Sequence, residues 1–186
     1  MRSVLALLAL WLATGPLDVP HMAPEASTAA ANIKVTPLVT AGRVSASFVA
    51  AGAFTTESRD VVKTGLPLTF TYLVELRRPS TIWFDRTVGS ATVSAAVKFD
   101  NLTSMYQVTK QQDGRVVWSK STSNDDEMQA WATEFVDVPV RISERLESNV
   151  EYYFQVRLQA RPHLHALLWP FARDDGSGRA DFTFIK

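Results

Sequence analysis

The chain has 186 residues, 46% hydrophobic and 20% charged, a composition that excludes disorder. Its 19 basic and 19 acidic side chains cancel, which argues against a surface built for bulk electrostatic contact with nucleic acid or anionic membrane. Cysteine is absent, so disulfides, thiolate metal sites, cysteine nucleophiles and lipidated cysteine anchors are excluded.

Met1-Arg2-Ser3 precedes an apolar run from Val4 to Ala13, which Gly15-Pro16 breaks. A bilayer span takes about 20 apolar residues, so this shorter run reads as a secretory signal. Ala29-Ala30-Ala31 fits the small-residue cleavage pattern, and earlier cuts near Ala23 or Ala26 also fit. The expected organisation is a signal and small-residue leader over 1–31 and one domain over 32–186. The mature chain stays near neutral after losing Arg2, Asp18 and Glu25. An exported chain without cysteine suits a bacterial envelope, periplasmic or extracellular.

From residue 33 onward the pattern is mostly period two, which predicts half-buried strands. Ile33–Thr40 contains Pro37, which cannot donate to a ladder and marks an edge strand. Val44–Ala50 returns as its hairpin partner. Thr56–Thr64 reads as a short helix, capped by Thr55 or Thr56 and stopped by Gly65. Leu66–Arg78 is the clearest strand, with Leu68, Phe70, Tyr72, Val74 and Leu76 on one face. Val88–Asp100 follows, with Ala91, Val93, Ala95, Val97 and Phe99 on one face. Ser104–Gln111 and Arg115–Ser121 flank Asp113-Gly114, a two-residue hairpin signal. Asn124–Phe135 shifts to helical spacing, with Met128, Trp131, Ala132 and Phe135 sharing a face. Val136–Ile142 is extended. Glu151–Arg161 is a long strand with Tyr152, Phe154, Val156, Leu158 and Ala160 on one side, and Ala180–Ile185 closes the chain. Strands joined by tight turns predict a mainly β protein: an antiparallel β-sandwich, immunoglobulin-like or related, with two short helices.

Several strings in this order carry a resemblance. They are Gly65-Leu66-Pro67 before Thr69-Phe70-Thr71-Tyr72, then Glu75-Leu76-Arg77 and Trp83-Phe84-Asp85-Arg86. Lys98-Phe99-Asp100-Asn101-Leu102-Thr103, Tyr106, Glu151-Tyr152-Tyr153 and Asp181-Phe182-Thr183-Phe184 complete the set. Together they resemble the domain of unknown function 4390 family of exported bacterial proteins. The resemblance implies export and hints at a partner linked to a membrane sensor kinase. It brings no assigned activity, cofactor or catalytic residue.

Of the candidate sites, two aromatic segments stand out: Trp83, Phe84, Asp85 and Arg86, and the stretch containing Trp169 and Phe171. Each lies between strands. Each either forms a binding patch, since tryptophan and arginine dominate interface hot spots, or plugs an open end of the core. His163 and His165 have the spacing of a ligand pair, but Pro162 interrupts the strand and no third histidine follows, so loop histidines are the simpler reading. Arg173-Asp174-Asp175-Gly176-Ser177-Gly178 has adjacent acids and glycines but lacks the alternating acids of a calcium loop, and reads as a polar turn before the last strand. Asn101-Leu102-Thr103 matches a glycosylation sequon but reads more simply as a hairpin tip. Arg77, Arg78, Arg157, Arg161 and Lys98 give a basic sheet face. No nucleophile elbow or Ser-x-x-Lys set is present.

The expectation is therefore a non-catalytic module, with no metal and no cofactor, that binds another envelope or membrane protein. The competing readings are a small envelope hydrolase or carbohydrate-acting enzyme using Asp85, Asp174 and Asp175, and a structural envelope component.

Overall fold

The computed structural model describes residues 31–82, 84–160 and 176–185. It is mainly β, with two antiparallel sheets in a sandwich-like arrangement. The strands are β1 (Asn32–Thr40), β2 (Arg43–Ala51), β3 (Leu68–Arg78), β4 (Arg86–Asp100), β5 (Met105–Gln112), β6 (Arg115–Thr122), β7 (Glu134–Pro139), β8 (Arg141–Ile142), β9 (Val150–Ala160) and β10 (Ser177–Phe184). The helices are α1 (Thr56–Lys63) and α2 (Asp125–Thr133).

The small sheet has the order β1-β2-β7, so Pro37 does lie on an edge strand. The large sheet runs β10-β9-β3-β4-β5-β6, with the short β8 paired to β4. At the Asp113-Gly114 hairpin both residues take positive φ, 49° and 79°, as a two-residue turn requires. The Asp113 N–H donates to the Thr92 carbonyl and its carboxylate accepts from the Thr92 N–H, at 2.8 and 3.0 Å. The turn therefore completes the ladder beside β4 where β5 ends, and β8 takes over at Gly89 and Ser90.

The alternation seen in the sequence sets the core. Phe70, Tyr72, Val74 and Leu76 of β3 are buried, as are Ala91, Val93, Ala95 and Val97 of β4. Phe70 pairs with Ala95 and Val74 with Ala91, so large side chains sit beside small ones across the ladder. Phe48 from β2 and Phe135 from β7 stack at 4.9 Å, and both meet Tyr72, at 5.1 and 5.2 Å. These contacts join the sheets. Burial pushes the Tyr72 hydroxyl pKa upward.

Asn124 caps α2 by accepting from the N–H groups of Asp126 and Glu127, and Thr55 caps α1 by accepting from Ser58. Arg59 and Lys63 of α1 reach Asp125 at the start of α2, at 3.8 and 3.4 Å. Phe135 departs from expectation. The helix ends at Thr133, and Phe135 belongs to β7, opposite Phe48. Its apolar character suited either period, and pairing with β2 decided between them.

A close approach closes one side of the molecule. A Cβ on Gly178 would collide with the Ile33 carbonyl oxygen, and one on Gly176 with that of Ala31. Only glycine lets β10 pass so near β1. The last strand accordingly starts at Ser177, earlier than the expected Ala180, and Gly178 lies within it rather than in a turn.

Candidate functional site

The β3–β4 connection carries the first aromatic segment. Ile82 and Phe84 are 83% and 93% exposed. Trp83 lies outside the described residues. Below this tip, Asp85 holds the connection to the outer face of the large sheet. Its carboxylate accepts a 2.6 Å hydrogen bond from the Tyr153 hydroxyl of β9 and a 3.0 Å bond from the Ser80 N–H. Arg77 of β3 donates to the Asp85 carbonyl at 3.0 Å and to the Gln155 side chain at 3.1 Å. The Tyr153 and Ser80 bonds hold the Asp85 carboxyl below the usual carboxylate range. Burial, followed by Asp85, pushes the Tyr153 hydroxyl upward.

Tyr153 is buried although it points away from the core. The Arg179 guanidinium of β10 covers it, 3.7 Å from the ring centroid, while donating to Asp181 at 2.6 and 3.0 Å. Strand alternation had put only Tyr152 inward. A large aromatic on the opposite face was the one available signal that something covers it. Arg86 begins β4 and pairs with Glu144 at 2.9 Å. The basic sheet face is less free than the sequence suggested: Arg78 meets Glu147 at 2.6 Å and Arg157 meets Glu75 at 3.4 Å.

Trp169 and Phe171 lie outside the described residues, as do His163, His165, Asp174 and Asp175. The register does fix where their segment is attached. Arg77 pairs with Tyr153 near the end of β3, whereas Phe70, near its start, pairs with Ala160. The strand ends leading into the two aromatic segments are therefore at opposite ends of the sheet. Of the two segments' aromatic residues, Phe84 is described, and it faces solvent.

A second surface escaped the sequence reading. Between β6 and β7, the free edges of the two sheets, lies a groove of about 220 Å³. Trp118, Val117, Phe135 and Val136 line it, with the Lys110 chain inside. Lys110 donates to the Glu134 carbonyl at 2.7 Å and lies 5.2 and 4.9 Å from the Trp118 and Phe135 ring centroids. Burial lowers its pKa. Trp118 meets Trp131 of α2 edge to face at 5.0 Å, and Lys120 lies within 5.8 Å of both rings. The available signal was Val116-Val117-Trp118: three apolar residues running against strand alternation. The ladder slips there, so Val117 is an extra residue in β6. On β7, Asp137 takes a φ of 51°, its carboxylate accepts from the Ser45 hydroxyl at 2.5 Å, and Val136 turns out to 82% exposure.

Among the described residues no cluster of three or more potential metal ligands is found, and no helix is long and apolar enough to cross a membrane. The fold and these two surfaces define a β-rich domain with an exposed loop tip and an open groove. The sequence model of the domain of unknown function DUF4390 matches residues 26–165, most of the chain. The protein belongs to that family. No curated protein and no solved structure matches it.

Proposed function

We propose that this protein is an exported binding module of the bacterial envelope, and that the Ile82–Arg86 tip contacts an envelope or membrane protein. One observation carries the reading. Ile82 and Phe84 are almost fully exposed, yet the base of their loop is clamped by Asp85. Apolar side chains held in water by a fixed base add nothing to the core. A fixed base also reduces the ordering cost of binding, and large apolar groups beside an arginine suit a hot spot. The leader argued from Met1–Ala31 supports export, and the family resemblance points to a membrane sensor as partner.

The test is capture from envelope membranes by the native chain and by Ile82→Ser and Phe84→Ser variants. Capture should weaken by about 1–3 kcal/mol for each substitution while the melting temperature holds. Unchanged capture by both variants rejects the tip as the contact. Intact mass of exported protein should show loss of the leader at Ala23, Ala26 or Ala31. Recovery of the full-length chain in the cytosol overturns export.

A further inference from the structure

The groove between β6 and β7 is two-sided in charge. β6 carries Arg115 and Lys120 and no acid, whereas β7 carries Glu134 and Asp137 and no base. Between these rims lie exposed valines: Val117 at 60% and Val136 at 82%. At the far end of the groove Arg141, just beyond β7, pairs with Asp113 at 3.4 Å, and among the described residues no ion pair joins β6 to β7.

The levels along the groove are also fixed. Lys110 reaches the Glu134 carbonyl and Gln112 reaches the Pro139 carbonyl, at 2.7 and 2.9 Å. Trp118 pairs with Lys110, and Arg115 with Gln112. The Trp118–Lys120 part of β6 thus lies level with Glu134, and Arg115 lies level with the far end of β7. A two-fold axis along the groove keeps each level while exchanging the rims. It lays the basic strand of one molecule over the acidic strand of the other and brings the valines together. A patch that fits its own rotated image is what an isologous dimer requires.

We propose that this groove is a self-association surface and that its occupant is a second copy of this chain. Lys120 faces Glu134 of the second copy, and Arg115 faces its Asp137. The zero net charge of the chain leaves no long-range repulsion to oppose the pairing. Two short strands fall below the ~20–30 residues per side of a standard interface, so the dimer is weak, with a dissociation constant on the order of micromolar or above.

Sedimentation velocity of the native chain, from about 1 to 500 µM, reads the equilibrium directly. A concentration-dependent dimer is expected. Lys120→Glu and Glu134→Lys should each weaken it at least tenfold, and the double variant should recover most of the loss. Thermal melts run alongside establish that each variant folds. Because Lys120 also touches two tryptophans, Val136→Glu supplies a second disruption at a mostly exposed position. A chain that stays monomeric throughout overturns the proposal, as does a dimer indifferent to all four variants. Loss without recovery in the folded charge-swap overturns it too. Co-sedimentation with phosphatidylglycerol vesicles that depends on Lys120, without dimer, assigns the groove to a membrane surface instead. These outcomes are independent of the Phe84 capture result.

Discussion

β10 meets β1 backbone to backbone, through glycines, whereas β6 and β7 meet across a groove bridged by the side chains of Lys110 and Gln112. The same two sheets are drawn together along one side and left apart along the other. A free sheet edge is a template for pairing, and close approach to another sheet hides it. On the open side the protection is different in kind: an extra residue at Val117, a left-handed Asp137, and lysines. The difference shows which surface remains available. The closed side has no room even for a methyl group at residue 178, while the open side keeps apolar side chains in water.

The hardest blow to this comparison falls on the closed side. Gly178→Val should destabilise by about 4 kcal/mol or more, because its Cβ would collide with the Ile33 backbone rather than with a side chain that can rotate. Urea unfolding reads it, and a loss under about 1 kcal/mol would mean that β10 and β1 can part at little cost. Phe70→Ala should follow at about 3–5 kcal/mol, since it empties a buried site facing Ala95 and touching Phe54. A small loss there would mean that the interior between the two sides is less tightly packed than the ring contacts imply.

Much of this was legible from alternation alone. Phe70 through Leu76 and Ala91 through Val97 declared their buried face because a period of two admits only one set of inward residues. Pro37 declared an edge because it lacks an N–H. Phe135 was ambiguous, since one apolar residue at a helix–strand junction fits either period, and only its partner Phe48 decides. Gly176 and Gly178 looked like turn glycines because what they make room for, the Ala31 and Ile33 carbonyls, lies far away in sequence. The loop tip was found by its residue types, but the clamp beneath it was not. Asp85, Tyr153 and Arg179 come from three separate elements, and no local pattern joins them. The groove was hidden for the same reason: the sequence placed Trp131 on the apolar face of its helix, and its contact with Trp118 is a product of topology.

The clamp ties the closed side to the loop tip through Arg179, and acid tests it. Asp85 has its pKa depressed in the folded chain by Tyr153 and then Ser80. Its contribution is therefore present above the ordinary carboxylate pKa of about 4 and is lost as pH falls below that toward the folded value. Tyr153→Phe should lower the melting temperature only slightly at neutral pH, because solvent reaches Asp85. It should also flatten part of the acid limb of the stability curve. An unchanged acid limb would mean that Asp85 is not held by this bond.

The smallest effect belongs to the open side, and its smallness is the point. Val117→Thr and Val136→Thr keep the β-branched shape that strands favour, and both side chains are mostly in water. Each should change stability by no more than about 0.5 kcal/mol when measured at low micromolar concentration. Concentration matters because anything that binds only the native state stabilises it by mass action. If the groove holds a second copy, the native chain should melt higher as its concentration rises, while the threonine variants should lose most of that rise. Differential scanning calorimetry over a hundredfold concentration range separates the two contributions. A loss above about 1.5 kcal/mol in the dilute samples would make these valines part of the interior, and the two sides of the sandwich would then differ less than their geometry suggests.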